Sequence, residues 1–309
     1  MKLPNSPGYA YAGIVASTFF WGTNFNAGAY IISMMTPISA AIERFIIATI
    51  LLFLIFGPSG KLRGEILKRN FRVYIILGLL GVACFNMATF FSLQTTTPIN
   101  AVLILATTPL WTTILAALLE GERIDLMRGF GILCGLLGVG LVITRGDLGI
   151  LLAHKIVLGD AIILAGSIAW ALNTVISRRF VIGATPLETT TFSMLFGTIA
   201  LIIFGSIFEK PIYAIAAAPA SVHGAILYLA VGGSMIAYLL WFNGIQRIGS
   251  ARTAIFFNLA PVFTMAVSTV LGVPPNKWQL IGAIAVIIGV VFASGVLQRQ
   301  VTLRAANAS

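Results

Sequence analysis

The chain has 309 residues, of which 59% are hydrophobic and only 9% are charged, and its mean hydropathy is +1.01. A soluble domain carries about 25% charged residues, so this composition excludes a protein whose surface faces water throughout. The formal charge of +10 could indicate a nucleic-acid partner, but the basic residues lie in short stretches between long apolar blocks. Membrane topology accounts for basic residues in such positions, so we expect no nucleic-acid partner.

The apolar residues form ten blocks, each close to the roughly 20 residues that a helix needs to cross a bilayer. The blocks lie at about 9–33, 38–57, 73–93, 99–119, 129–145, 157–177, 187–208, 224–245, 252–272 and 278–297. They show little alternation of apolar and polar residues, which argues against the two-faced strands of an outer-membrane barrel. The sequence therefore predicts an all-α polytopic membrane protein with ten transmembrane helices in the lipid bilayer.

The basic residues between the blocks are divided unevenly between the two sides of the predicted membrane. Fourteen Lys and Arg residues fall on the side that holds the N-terminus and four on the other side, while Arg44 lies inside the second block. Short loops rich in Lys and Arg stay in the cytoplasm, so both termini are predicted to be cytoplasmic. Termini on one side of the membrane also require an even number of helices.

Similar residues recur in the two halves of the chain at a nearly constant spacing. FFWGTN at 19–24 resembles IAWALN at 168–173 at an offset of 149. An offset of 152 relates three further pairs, Gly81 and Gly233, Gln94 and Gln246, and Pro109 and Pro261. The chain is therefore predicted to contain two five-helix repeats, 9–145 and 157–297, followed by a cytoplasmic tail at 298–309.

An odd number of helices per repeat makes the second repeat enter the membrane from the opposite side. Secondary transporters commonly use such inverted repeats, and their substrate sites lie between the repeats near the midplane. The alternative is a gene duplication in a protein that transports nothing.

The first and sixth blocks carry matching aromatic and amide residues on one helix face. Residues three and four positions apart share a side of a helix, so Trp21 and Asn24 form one stripe, and Trp170 and Asn173 form its counterpart. A tryptophan and an amide can form a mixed cavity wall that binds an amphipathic solute. The alternative is packing, because amides also join helices in membranes. Asn26 has no counterpart and is assigned to packing.

The third and eighth blocks add a second group of candidate substrate-binding residues. Phe85 and Asn86 occupy positions equivalent to Ala237 and Tyr238, and Trp241 lies three residues further on. The difference between Asn86 and Tyr238 predicts a chemically asymmetric cavity, which suits an asymmetric solute. Phe85 and Trp241 could equally face lipid or pack in the core.

The fourth and ninth blocks contain prolines at equivalent positions, Pro109 and Pro261. A proline inside a helix removes a backbone hydrogen bond and kinks the helix. We therefore predict that these helices bend during transport, with Thr108 and Asn258 lining the cavity beside the kinks. The alternative is a static kink.

Two charged residues, Glu43 and Arg44, lie inside the second block. Charged residues within a membrane segment commonly have a function, so Glu43 is a candidate proton carrier, although a structural role at the membrane interface is the alternative. The sequence has no Walker A motif and no metal-binding spacing, and it predicts neither a cofactor nor a metal site.

Several of these motifs together resemble the drug/metabolite transporter superfamily, EamA type. They are WGTNF at 21–25, Thr36-Pro37 followed by Glu43-Arg44-Phe45, and TTPL at 107–110. The resemblance covers about 9–297 and implies ten helices in two EamA repeats and export of small metabolites or drugs. Within the superfamily, the sequence looks most similar to the YddG-type exporters of aromatic amino acids and methyl viologen. Many EamA sequences carry a lysine late in the first helix, where this chain has Ala29.

These observations predict a monomeric exporter in a bacterial inner membrane that works by alternating access and is not an enzyme. We expect its substrate to be a small amphipathic solute such as an amino acid with an aromatic or apolar side chain. Drug and nucleotide-sugar transport are alternatives within the superfamily, although phosphates call for more cationic groups. A membrane-embedded lipid-processing enzyme is a further alternative that would need a cluster of Asp, Glu or His at an interface.

Overall fold

The structure, a computed structural model, describes residues 7–120, 126–144, 146–147, 157–248, 253 and 256–293. Its helices are α1 (Pro7–Ile32), α2 (Pro37–Phe56), α3 (Gly64–Arg69), α4 (Phe71–Ser92), α5 (Pro98–Leu105), α6 (Thr108–Glu120), α7 (Leu126–Thr144), α8 (Leu158–Phe180), α9 (Pro186–Phe208), α10 (Pro211–Ala217), α11 (Ala220–Ile248), α12 (Leu259–Val270) and α13 (Lys277–Ala293). No strand occurs among the described residues, so the prediction of an all-helical protein is confirmed.

Six helical segments among the described residues are long and apolar enough to cross a membrane. They are α2, α4, the combined segment Pro98–Leu119, α8, α9 and α11, and shorter apolar helices cover Gly129–Val142, Phe256–Val270 and Lys277–Gly289. Helix α1 has 26 residues but carries Thr23, Asn24 and Asn26 midway, and it is not one of the six. The predicted total of ten membrane-crossing helices stays a prediction.

Part of the sequence-based interpretation falls outside the described residues. The predicted tail at 298–309 lies there. So do several of the loop cations on which the predicted orientation depends, namely Lys2, Arg123, Arg145, Lys155, Arg252, Arg299 and Arg304. The cytoplasmic placement of the termini therefore stays a prediction.

Three helices begin with the same Thr-Pro pair. Thr36, Thr97 and Thr185 have extended backbones, and a proline opens the helix that follows each of them. Proline suits this position because the first backbone N–H groups of a helix have no acceptor within the helix. At α9, Thr185 and Glu188 also cap each other's backbone N–H groups in a capping box. Each pair thus fixes where its helix starts.

The structure places the two predicted kink prolines near helix starts instead of inside helices. Helix α5 ends at Leu105 and α6 begins at Thr108, so Pro109 is the second residue of α6. A 3₁₀ turn at Phe256–Asn258 precedes α12, and Pro261 is the third residue of α12. In the first turn of a helix the missing proline N–H breaks no hydrogen bond within that helix. Each interruption of the helix therefore lies just before its proline.

Helices α4 and α11 widen into π-helical segments at equivalent positions, Gly78–Cys84 and Leu229–Ile236. Gly81 and Gly233, which the repeat pairs at an offset of 152, lie inside these segments. π-helical turns within α-helices are frequent at functional sites. Both segments face the centre of the molecule, where the candidate site lies.

Each half of the chain packs largely against the other half. Helix α1 packs against α11 and α12, while α8 packs against α4, α5 and α6. Further large contacts join α9 to α2 and α4, and α7 to α13. In the α7–α13 contact, a Cβ atom added to Gly138 would lie 2.9 Å from the Gly282 carbonyl oxygen, so glycine allows these two helices to approach closely.

Candidate functional site

Aromatic side chains from both halves of the chain meet at the centre of the molecule. We call Trp21, Phe85, Trp170, Tyr238, Trp241 and Phe257 the aromatic cluster. Five of these residues were predicted to bind substrate, and Phe257 was not. All of them are buried except Phe85, which is half-buried. The sequence-predicted stripes on α1 and α8 therefore do face each other, and the cluster draws two residues from the first half of the chain and four from the second.

Trp21 lies at the centre of this cluster. Its ring centroid is 4.9 Å from that of Trp241, 5.4 Å from Trp170 and 5.5 Å from Phe257. Trp170 in turn contacts Phe85 at 4.8 Å. The planes of Trp21 and Trp170 cross at 83°, which is the edge-to-face arrangement that aromatic pairs favour.

Several polar atoms of the site are buried without a hydrogen-bond partner. Within the described part of the chain, the indole N–H groups of Trp170 and Trp241 and both amide atoms of Asn258 make no hydrogen bond. By contrast, the indole of Trp21 donates to the Gly233 carbonyl at 2.9 Å. Buried polar groups are nearly always paired, so unpaired ones need a physical explanation. A bound molecule could accept from these indoles and bond to this amide.

Asn24 and Asn173, which the repeat offset of 149 relates, lie at equivalent places opposite glycines. A Cβ atom added to Gly233 would collide with the Asn24 amide, and one added to Gly81 would collide with the Asn173 amide. Asn24 and Gly233 come from opposite halves of the chain, as do Asn173 and Gly81. Each amide is thus held against the π-helical segment of the other half.

Arg44 is a buried cation beside the cluster, and the sequence-based site did not include it. Its side chain is only 4% exposed. Its Nε donates to Ser234 Oγ at 2.7 Å and one terminal nitrogen donates to Asn86 Oδ1 at 3.1 Å. The Asn24 amide, oriented to donate to the Phe20 carbonyl, accepts from the other terminal nitrogen at 3.2 Å. The signal for Arg44 was its charge within an apolar block.

Asn86 and Tyr238, which the repeat places at equivalent positions, contact each other. The Asn86 amide nitrogen lies 3.4 Å from the Tyr238 hydroxyl, and that hydroxyl donates to the Gly81 carbonyl at 2.9 Å. Asn86 therefore joins Arg44 to the aromatic cluster through one polar chain.

Thr108 is less available to a substrate than its position in the sequence predicts. Its hydroxyl donates to the Leu105 carbonyl at 2.6 Å, across the break between α5 and α6. Pro109 lacks the N–H that would otherwise bond to that carbonyl in a continuous helix. Thr108 thus supplies the hydrogen bond that the proline cannot. Both prolines, Pro109 and Pro261, are buried.

Asn26 joins α1 to α12, away from the cluster. Its amide nitrogen donates to the Thr264 carbonyl at 3.2 Å, and its amide oxygen accepts from Ser268 Oγ at 2.7 Å. Both amide groups are therefore used in helix packing, which is the role that the sequence assigned to Asn26.

Polar contacts also join the two halves at both ends of the molecule. End A comprises the connections 57–63 and 181–185, where Arg63 contacts Glu188 at 2.7 Å. The hydrogen bond that Arg63 donates to the Glu188 carboxylate raises the pKa of the exposed Arg63 guanidinium above its usual value. End B comprises the connections 33–36 and 209–219, where Glu209 accepts from Ser39 Oγ at 2.8 Å.

Glu43 lies towards end B, where it contacts His223. The distance from Glu43 Oε1 to His223 Nδ1 is 2.6 Å. The second oxygen, Oε2, is buried and has no partner among the described residues. Glu43 and Arg44 therefore do not pair with each other, and they point to different groups in the protein.

Sequence comparison identifies the family of the chain. The EamA-like transporter family matches twice, over residues 8–144 and 157–295. The uncharacterized transporter YyaM of Bacillus subtilis is 38% identical over 288 residues, which cover 93% of this chain and 94% of that protein. A chloroplastic WAT1-related protein of Arabidopsis thaliana is 24% identical, over 90% of this chain and 67% of its own length.

A solved crystal structure has the same fold. It is 21% identical in sequence, covers 96% of this chain and 99% of its own chain, and superposes with a TM-score of 0.69. The double family match accounts for the two repeats that residue spacing predicts, and long apolar helices are what a membrane transporter requires. The chain is a polytopic membrane protein that belongs to the EamA-like transporter family.

Proposed function

We propose that the protein exports small amphipathic metabolites, above all amino acids with aromatic or apolar side chains, by alternating access. The observation that carries this proposal is the aromatic cluster, which both repeats build together. Aromatic faces bind apolar side chains, and the unpaired indole and amide groups of Trp170, Trp241 and Asn258 can bond to polar groups of a solute. The substrate is thus proposed to bind at the aromatic cluster, where the two repeats meet.

An inverted arrangement of the repeats supports alternating access in this proposal. Thr49 and Thr198 are related by the offset of 149, and their hydroxyls lie 2.9 Å apart. Equivalent residues meet in this way only where a pseudo-two-fold axis passes between them. We place ten membrane-crossing helices around this axis, in a monomer with both termini in the cytoplasm of a bacterial inner membrane.

The breaks before Pro109 and Pro261 are the proposed hinges. Each break separates a helix from the segment that precedes it, and each lies beside a candidate binding residue, Thr108 or Asn258. Short non-α segments within a membrane helix are tolerated where the protein buries them. Bending at these two points would expose the aromatic cluster to one end of the molecule at a time.

Glu43 is retained as a proposed proton carrier. Its contact with His223 joins the two repeats near end B. A Glu43→Gln protein that still concentrates substrate against a gradient would exclude this role without affecting the rest of the proposal.

Drug or nucleotide-sugar transport is the alternative within the family. The diphosphate of a nucleotide sugar carries more than one negative charge. Arg44 is the one cation that is hydrogen-bonded to this site in the described part of the chain. The site therefore favours a solute with at most one anionic group over a phosphorylated one.

Counterflow in proteoliposomes tests the proposed function. Purified protein is reconstituted with an excess of unlabelled amino acid inside, and uptake of the radiolabelled amino acid is measured for an aromatic, an aliphatic, an acidic and a basic substrate. We expect uptake for the aromatic and aliphatic members. Trp21→Ala and Asn24→Ala should lower this uptake more than the packing variant Asn26→Ala. No uptake of any amino acid would contradict the substrate class.

A further inference from the structure

Arg44 carries a charge for which the described residues supply no counter-charge. The guanidinium lies within α2, one of the six helices that can cross a membrane, and is nearly fully buried. Its three hydrogen-bond partners, Ser234, Asn86 and Asn24, are all neutral. No carboxylate contacts it among the described residues, and the neighbouring Glu43 is bonded to His223 instead.

An unpaired cation in this position attracts an anion strongly. Removing a charged group from water is costly, and neutral partners offset only part of that cost. Buried charges are therefore normally paired with an opposite charge or bound to a ligand. The anion that the described residues do not provide can be supplied by the transported solute.

The guanidinium is also arranged to bind a ligand. Its hydrogen bonds use three of the five N–H groups that an arginine offers, which leaves two for a further acceptor. The partners come from α1, α4 and α11, so the charge lies at the junction of the two repeats. Each partner is an amide or a hydroxyl that can exchange a hydrogen bond for one to a ligand.

The aromatic cluster begins immediately beside this cation. Asn24 lies one helical turn from Trp21 on α1, and Asn86 contacts Tyr238. A solute with its anionic group on Arg44 would therefore place its body against the aromatic rings. The position equivalent to Arg44 in the second repeat is Ser193, so the charge is present on one side only and fixes which way the solute points.

We infer that Arg44 binds a carboxylate of the transported solute, so that the substrate class is an apolar or aromatic carboxylic acid, amino acids included. This inference rests on the proposed function and narrows it. A carboxylate matches the planar fork of a guanidinium and carries the single charge that one arginine balances. A phosphate carries up to two charges and would call for a second cation.

The test compares aromatic solutes that carry a carboxylate, no anionic group, or a phosphate. Proteoliposomes containing the wild-type protein are assayed for counterflow of L-phenylalanine, its amide, phenethylamine and phenyl phosphate. We expect half-saturation concentrations roughly 10- to 100-fold higher for the amide and the amine than for the acid, the range that one charge-assisted contact supplies. Phenyl phosphate should bind more weakly than the carboxylate.

Variants of Arg44 assign this discrimination to the residue. In Arg44→Gln, the half-saturation concentrations for the acid and the amide should differ by no more than about threefold. Arg44→Lys should retain part of the preference for the acid because the charge remains. Arg179→Gln is the matched control, since Arg179 is exposed on α8 beside Phe180 and outside the site. Melting temperature and gel-filtration profile show whether each variant is folded, and the wild-type comparison decides the question if Arg44→Gln does not fold.

Two results would overturn the inference in distinguishable ways. Equal transport of the acid, the amide and the amine by the wild-type protein would leave the proposed exporter intact and remove the carboxylate. A preference for phenyl phosphate would remove the carboxylate and restore a phosphorylated substrate. No transport of any amino acid or analogue would contradict the proposed function itself.

Discussion

Two pairs of residues bring the repeats into close contact near the centre, Asn24 opposite Gly233 and Asn173 opposite Gly81. Both glycines lie in a π-helical segment, where the backbone of one repeat touches an amide of the other. An added methyl group has no room at either position, because the nearest atoms belong to a buried amide. The two pairs thus explain why both halves of the chain have glycine at these equivalent positions.

Substitution of Gly233 tests this close approach. We expect Gly233→Ala to lower the stability of the protein by about 1–3 kcal/mol, which is the usual cost of overpacking a core, and to lower the melting temperature in detergent. Gly224→Ala on the same helix is the matched control, since an added Cβ there meets nothing within 4 Å. Equal melting temperatures for the two variants would contradict the predicted collision.

The residue patterns found most of this site but missed its charge. Trp21, Trp170, Tyr238 and Trp241 were predicted from helical periodicity and repeat spacing, and the structure brings their rings together. Arg44 escaped because its role depends on the absence of a nearby carboxylate, and residue order does not reveal distances between helices. Phe257 escaped because it lies in a 3₁₀ turn, where helical periodicity does not apply.

Individual helices differ from the sequence-based prediction mainly where they are interrupted. The helix is interrupted between Leu105 and Thr108, and neither residue in between is Gly or Pro. The sequence therefore predicted the kink at Pro109 instead. The π-helical segments in α4 and α11 carry no residue pattern that distinguishes them from α-helix. By contrast, helix starts at Thr-Pro pairs are readable, because threonine caps and proline both have local physical causes.

Replacement of the two prolines tests the hinges. Pro109→Ala and Pro261→Ala restore a backbone N–H and allow the helices to continue across the breaks. We expect the double variant to transport several-fold more slowly while its half-saturation concentration changes little, because bending and not binding is affected. Counterflow rates over a range of substrate concentrations separate the two quantities.

The prolines are static features if both single variants and the double variant transport at the wild-type rate while they remain folded. A change confined to the half-saturation concentration would instead place the prolines in substrate binding.

The whole molecule is joined across its repeats at end A, at the centre and at end B. Arg63–Glu188 joins the repeats at end A, and Glu43–His223 joins them towards end B. Alternating access requires the two ends to open in turn, so a contact that closes one end must break in each cycle. A permanent bond at either end would therefore stop transport.

Cross-linking tests this requirement. In a background without Cys84 and Cys134, the pairs Arg63→Cys with Glu188→Cys and Glu43→Cys with His223→Cys are treated with a short bifunctional thiol reagent that a reductant cleaves. We expect each cross-link to abolish counterflow and reductant to restore it. Single-cysteine variants given the same reagent are the controls. Full transport by a cross-linked pair would mean that the end concerned does not open.

The central claim is that the aromatic cluster of the two repeats is the transport site, and counterflow kinetics of Trp21→Ala and Trp170→Ala test it most directly. Phe130→Ala is the matched control, because Phe130 is an exposed aromatic residue that contacts Phe292 between α7 and α13. With folding verified by melting temperature, we predict that both tryptophan variants raise the half-saturation concentration for an aromatic amino acid about tenfold, the effect of roughly 1.4 kcal/mol. Kinetics of both variants that match those of Phe130→Ala would contradict the claim.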